Sequence, residues 1–107
     1  MADDTTDWKL KLRYGKLTTP FTHFSLIADG LVREALRPGF ECPVGRAYMA
    51  MSVWASDEDE AFDMIQQIGA DIGFVCDGDI QLYDTPPDQP PRDAPFGYGI
   101  AFTPYDA

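Results

Sequence analysis

The stretch 47–83 constrains the fold more than any other part of this chain, because a helical pattern lies there between two apolar segments. Around the predicted helix 57–71, apolar residues recur three or four positions apart, which is the spacing of one buried helical face. Ser56, with Asp59 three residues later, predicts the helix start, because such pairs cap the first backbone amides. The predicted buried face comprises Ala61, Phe62, Ile65, Ile68 and Ile72.

The segments on either side of this helix predict strands. Segment 48–54 is apolar at nearly every position, which is typical of a central strand that is buried on both faces. Segment 74–83 is also strand-like, but it contains the dipeptide Asp77-Gly78. That dipeptide predicts either a tight hairpin turn or a bulge within one long strand.

The flanking segments add further elements. Trp, Leu and Tyr alternate with Lys and Arg across 8–14, and this period of two predicts a strand. Segment 21–27 predicts a second strand that forms a hairpin with the first, and 97–103 predicts the last strand. Segment 31–37 predicts either two helical turns or a long excursion between strands.

Together these elements predict an α+β fold, with a mostly antiparallel sheet of four to five strands and one main helix, 57–71, on one face. The expected order is β-β-(short α)-β-α-β-β, of ferredoxin-like type or a variant. A length of 107 residues suits a single domain, 1–107. Within it we expect the polar residues 1–6 to be disordered and the proline-rich segment 86–95 to form an extended loop.

The balance of charge limits the choice of partners. The formal net charge is −10, from 18 acidic residues against 8 Lys and Arg. This charge repels phosphate backbones, so a basic protein is a better expected partner than nucleic acid. The candidate docking surface is the acidic helix start, unless that segment is only a solvated end that complements the helix dipole. It comprises Asp57, Glu58, Asp59, Glu60 and Asp63.

Few residues offer catalytic chemistry. His23 is the only histidine, and Cys42 lies in a loop rich in Gly and Pro. The two are candidates for a ligand or polar site, including a Cys–His pair, but the sequence assigns no catalytic residue. A single histidine and the Asp77-Gly78-Asp79 turn do not match a metal-binding pattern, so we expect neither a metal nor a cofactor.

Aromatic residues are too numerous in the predicted strands for one helix to cover. Part of the sheet must then be solvated, form a pocket or be buried in a homodimer through an open sheet face. We therefore predict a small acidic, non-enzymatic binding or regulatory module that docks a basic partner protein. The alternative is a small-molecule-binding protein or small enzyme with an aromatic-lined site on the sheet, completed at a dimer interface.

The expected location is the cytoplasm. The sequence shows no export signal and no apolar run of membrane-spanning length, so we expect no membrane contact. Cys42 and Cys76 are the two cysteines, and nothing in their spacing pairs them. Free thiols are typical of a reducing compartment.

Overall fold

The structure is a computed structural model that describes residues 4–105. Its helices and strands follow one another in the order α-β-β-α-β-β. They are α1 Asp4–Arg13, β1 Thr22–Val32, β2 Gly45–Ala55, α2 Glu58–Ile72, β3 Phe74–Asp84 and β4 Phe96–Pro104.

The strands form one four-stranded antiparallel sheet in the order β3-β1-β2-β4. Because β2 and β3 both run antiparallel to β1, they are parallel to each other, and α2 crosses over β1 to connect them. The predicted α+β class and the antiparallel sheet are confirmed. A fifth strand and the ferredoxin-like order are not confirmed, since residues 4–105 form four strands and the helices come in a different order.

The core lies between α2 and one face of the sheet. The predicted helical stripe supplies its upper layer, with Ala61, Ile65 and Ile72 buried. Gly69 lies on the same stripe and lets the helix approach the sheet, because a Cβ there would lie 3.2 Å from the Met49 sulfur. Alternate residues of the central strands supply the lower layer, as the period of two requires. They are Phe24, Leu26, Ala28 and Val32 of β1 and Ala47, Met49, Met51, Val53 and Ala55 of β2.

The strand predicted at 8–14 is wrong, because this segment belongs to α1 and the loop after it. Leu, Lys and Arg are good helix formers, and basic residues in the last turn complement the helix dipole. The alternation that suggests a strand is here a pattern of two apolar sides on one helix. On a helix it places Trp8 and Leu12 on one side and Leu10 and Tyr14 on another, with Lys and Arg between them.

The short helix that was one of two possibilities for 31–37 does not form. β1 continues through Val32, which is fully buried between Gly45 and Phe74 on its two neighbours. The chain then makes the irregular excursion that was the other possibility. This loop stays close to the core, because the Arg37 N–H donates to the Ile72 carbonyl at 2.8 Å and so satisfies the end of α2.

Segment 74–83 lies within one continuous strand, so of the two predicted arrangements the bulge is right. The pairing of β1 with β3 shifts register at Asp29. Between the pairs Ala28–Ile80 and Gly30–Cys76, β1 has the one residue Asp29 and β3 has the three residues 77–79. A bulge of this kind bends an edge strand and re-aims its side chains. Here it brings the two carboxylates of Asp77 and Asp79 to the part of β3 that lies opposite Asp29.

The remaining expectations concern loops and ends of the chain. The proline-rich segment 86–95 contains neither helix nor strand, as predicted. Of the segment 1–6, residues 1–3 lie outside the described part of the chain, whereas 4–6 belong to α1 and are not disordered as predicted. No helix within residues 4–105 is both long and apolar enough to cross a membrane.

The first turn of α2 is capped by Asp57 and not, as predicted, by Ser56. The Asp57 carboxylate accepts a hydrogen bond from the Glu60 N–H at 2.8 Å. The Glu60 carboxylate in turn accepts one from the Ser56 N–H at 2.7 Å. Ser56 therefore contributes its backbone amide to the capping box, while its hydroxyl takes no part.

This arrangement predicts which cap substitution is harmful. Asp57→Ala removes the acceptor of an orphan amide and should lower the free energy of unfolding by about 0.5–2 kcal/mol. Ser56→Ala is the matched control and should cost clearly less, because the amide of residue 56 is retained. Urea unfolding followed by circular dichroism measures both. A loss for Ser56→Ala as large as that for Asp57→Ala would contradict the cap.

Candidate protein-binding face

We call the sheet face opposite α2 the open face; α2 does not reach it, and Leu12 of α1 lies beside its His23 and Trp54. Strand alternation sends to the open face every residue between the core positions, so it collects most of the polar and aromatic side chains of the strands. The residues of this face are His23, Ser25, Ile27, Asp29 and Leu31 of β1, Arg46, Tyr48, Ala50, Ser52 and Trp54 of β2, Val75, Gln81 and Tyr83 of β3, and Phe96, Tyr98, Ala101 and Thr103 of β4.

One end of the open face is covered by the proline-rich loop. β3 and β4 lie on opposite edges of the sheet, so segment 85–95 has to cross from one edge to the other. It crosses the open face next to Trp54, whose indole N–H donates to the Gln89 carbonyl at 2.8 Å. Trp54 is only 3% exposed as a result, so the loop supplies part of the second layer that the aromatic strands require.

His23 bonds to the start of the same loop through one ring nitrogen and to Tyr98 of β4 through the other. Nδ1 lies 2.9 Å from the Thr85 carbonyl, which can only accept, so Nδ1 carries the proton. Nε2 then accepts from the Tyr98 hydroxyl at 2.6 Å, and that hydroxyl accepts from the Asp88 N–H at 3.0 Å. Burial lowers the pKa of His23, against the opposing effects of Thr85 and Asp88. His23 is thus a neutral structural link with no nitrogen left for base catalysis.

Cys42 lies far from His23. It follows β1 in the loop that contains Leu36 and Phe40, whereas His23 is near the start of β1. At about 3.3 Å per residue, β1 separates the two by about 30 Å, so the structure does not bring the possible Cys–His pair together. Burial raises the pKa of Cys42 and of Cys76, and both are free thiols.

The acidic start of α2 lies on the opposite side of the sheet from the open face. Two of its five carboxylates, those of Asp57 and Glu60, belong to the capping box. Glu58, Asp59 and Asp63 are exposed. The predicted docking residues therefore form a surface of their own, separate from the open face, and their role in partner binding stays a prediction.

At the uncovered end of the open face, Arg46 forms the centre of a polar network that we call the Arg46 cluster. Its Nη2 donates to Asp29 Oδ1 at 3.0 Å and its Nη1 to Asp77 Oδ2 at 2.7 Å. Its Nε donates to the Tyr105 hydroxyl at 3.3 Å, and that hydroxyl donates to Asp29 Oδ1. The cluster joins β1, β2, β3 and the residue after β4, so it holds this end of the face in one arrangement.

Hydrogen bonding within the Arg46 cluster shifts the pKa values of Arg46, Asp77 and Tyr105. The hydrogen bond from Arg46 lowers the pKa of Asp77, and the hydrogen bonds to Asp77 and Tyr105 raise the pKa of Arg46. Hydrogen bonding to Asp29 raises the pKa of Tyr105. At neutral pH the cluster therefore contains two carboxylates, one guanidinium and a neutral phenol, and it is negative overall.

The open face as a whole is more acidic than the Arg46 cluster alone. Arg46 is the only basic residue within 45–91, and its charge is engaged by Asp29 and Asp77. Asp79 forms no ion pair with any residue of the described part of the chain. The Arg46 end of this face thus offers an unneutralised carboxylate, and the guanidinium of Arg92 lies at the other end, 4.1 Å from the centroid of the Phe96 ring.

Beside the Arg46 cluster the open face contains a concavity of about 510 Å³. Tyr48 forms one wall, with its ring stacked on Tyr105 at 4.5 Å between centroids and 25° between planes. Tyr48 is still 42% exposed, so one side of its ring is available for contact. The lining combines apolar, amide, hydroxyl and carboxylate groups: Ile27, Asp29, Tyr48, Ala50, Asp79, Gln81 and Thr103.

The sequence-based prediction does not include the Arg46 cluster. One signal was present, because Arg46 is a lone basic residue in a long acidic stretch. Its partners are 17, 31 and 59 residues away, at Asp29, Asp77 and Tyr105. Only the strand order β3-β1-β2-β4 brings them together, and that order was not predicted.

Neither a metal pattern nor a known relative identifies this site. Within residues 4–105, no three His, Cys, Asp or Glu side chains are close enough together to hold a metal ion. Comparison of the chain with protein-family models, curated proteins and solved structures finds no match. Its function has to be argued from the chemistry of its own surfaces.

The link formed by His23 predicts a specific dependence of stability on pH. Its pKa in the folded protein is below the ordinary value of 6.5, so the unfolded chain takes up the proton more readily. The contribution of His23 is therefore complete above that value and is lost as the pH falls towards the folded pKa. We expect the wild type to lose stability between neutral and mildly acidic pH, and His23→Gln to lose less over the same range.

Urea unfolding at a series of pH values between neutral and mildly acidic measures this difference. Carboxylates that titrate at lower pH affect both proteins alike, so the comparison isolates residue 23. Parallel pH profiles for the wild type and His23→Gln would contradict a buried neutral histidine.

Proposed function

We propose that this protein is a small acidic, non-enzymatic binding module that docks a basic partner protein on its open face. The observation that carries the proposal is the concavity beside the Arg46 cluster. It presents an exposed tyrosine ring, an exposed isoleucine and the unpaired carboxylate of Asp79 on one surface. Such a surface is complementary to a segment that carries Lys or Arg together with apolar side chains.

The composition of the open face supports a protein as its partner. Ile27, Tyr48 and Tyr83 are between 38% and 46% exposed there, although residues of this kind are usually buried. Tyrosines at the centre of an interface often carry much of its binding energy. Tyr105 of the Arg46 cluster stacks on Tyr48 and holds its ring in place beforehand, which reduces the entropy lost on binding.

The candidate catalytic groups support a non-enzymatic role. Both ring nitrogens of His23 are engaged, Nδ1 by the Thr85 carbonyl and Nε2 by the Tyr98 hydroxyl. Cys42 and Cys76 have raised pKa values and so are protonated, which makes them poor nucleophiles. Their free thiols also support a cytoplasmic location, which is part of the proposal.

A second candidate function uses the same concavity for a small molecule. Its volume of about 510 Å³ lies within the range of about 300–1,000 Å³ that is usual for ligand sites. The amide of Gln81 and the hydroxyl of Thr103 would orient polar groups of such a ligand. A rise in melting temperature with a small cationic metabolite, and none with basic peptides, would favour this function over protein docking.

A titration with a charged peptide tests the proposed function. The probe is fluorescein-labelled hexa-arginine, and hexa-glutamate is the negative probe. We expect hexa-arginine to bind with a Kd that rises with salt, because salt screens exposed charges. Asp79→Asn and Tyr48→Ser should each raise that Kd by about tenfold, which corresponds to about 1.4 kcal/mol.

Asp63→Asn is the matched control, because it removes the same charge from the exposed side of α2. We expect its Kd to stay at the wild-type value. If Asp63→Asn weakens binding and Asp79→Asn does not, the docking surface is the acidic helix start and the open face is not the site. If hexa-arginine does not bind even at low salt, the proposal is wrong.

A further inference from the structure

The backbone of α1 makes no close approach to any other helix or strand of the described chain, and its Leu12 side chain lies beside Thr22, His23 and Trp54. The helix has 10 residues, and isolated helices shorter than about 12–15 residues are only marginally stable in water. Leu10 is 46% exposed, and Tyr14, which directly follows the helix, is 70% exposed. α1 therefore leaves apolar surface uncovered and would gain stability from a surface on which to pack.

The chemistry of α1 is complementary to that of the open face. Leu10 and Tyr14 are four residues apart, so they lie on the same side of the helical turn. Lys9 and Arg13 flank them, and segment 9–16 contains four of the eight basic residues of the chain. The rest of the chain is accordingly more acidic than the net charge of −10 suggests. A basic segment with apolar side chains is what the proposed function expects the open face to bind.

The position of α1 in its own protomer keeps it away from the concavity. Leu12 lines a surface depression with Thr22, His23 and Trp54, at the end of the sheet that the proline-rich loop covers. The concavity lies towards the other end of β1, near Asp29. The concavity and α1 of one protomer therefore lie towards different ends of its open face.

We infer that two copies of this chain associate reciprocally, with α1 of each copy seated on the open face of the other. This inference rests on the proposed function, because it assigns an occupant to the same face. α1 is about 15 Å long, and the strands of the face are about 35 Å long, so the helix fits within it. A twofold axis repeats the contact, with Leu10 and Tyr14 against Ile27 and Tyr48, and closes the dimer.

This dimer has a consequence for partner binding. A basic partner protein and α1 of the second copy compete for one surface, so partner binding has to displace the helix. A partner must therefore bind the open face more tightly than α1 of the second copy does, and weakly basic proteins are excluded from the face. Both the association of the dimer and its displacement depend on salt, since both use charge pairing.

Sedimentation velocity of the full chain tests the inference by charge exchange. We expect the wild type to be a dimer at low salt and to dissociate at high salt. Lys9→Glu with Arg13→Glu, the arm variant, should raise the dimer dissociation constant at least about tenfold, and so should the face variant Asp79→Lys. Mixing the arm variant with the face variant should restore a dimer. In the mixed dimer the altered α1 meets the altered face, and the native α1 meets the native face, so both contacts again pair opposite charges. Asp63→Lys is the control and should dimerise like the wild type.

Three results would overturn the inference: a wild type that is monomeric at low salt, a dimer that persists in the arm variant, and a mixture that does not dimerise. The peptide titration separates these failures from a failure of the proposed function. If the chain is monomeric but still binds hexa-arginine in an Asp79-dependent manner, the proposed docking face stands and the dimer is wrong.

Discussion

The central constraint on this structure is that a single helix covers only one face of a four-stranded sheet. α2 covers the centre of that face, and the core positions of β1 and β2 alternate with residues that cannot reach it. The side chains on the other face must find their packing and hydrogen-bond partners outside α2. The chain does this in two ways, with the proline-rich loop at one end and the Arg46 cluster at the other.

These two arrangements give the ends of the open face different roles. The loop end is closed, because His23, Trp54 and Tyr98 each form a hydrogen bond with segment 85–95. The Arg46 end is ordered but uncovered, and Tyr48 remains exposed beside it. An ordered, exposed, acidic and aromatic surface is suited to recognition, and this contrast is why we place the docking site there and not at His23.

The parts of the fold that could be predicted are those with local signals. The helical spacing around Ile65 and the apolar run 48–54 identified α2 and β2, because both patterns follow from burial against one core. Segment 8–14 was mispredicted because its alternation does not reflect burial of one strand face, since Trp8 and Leu12 are half-buried whereas Leu10 and Tyr14 are exposed. The Arg46 cluster could not be predicted, because Asp29, Asp77 and Tyr105 meet it only through the order of the strands.

The most direct measurement is a chemical-shift map of the isotope-labelled full chain during titration with hexa-arginine. We expect the largest amide shifts to cluster at 27–29 in β1, 48–50 in β2 and 79–81 in β3, which lie side by side around the concavity. Amides of 57–63 at the start of α2 should shift little. Shifts that concentrate in 57–63 and spare the three strands would contradict the claim that the open face is the working surface.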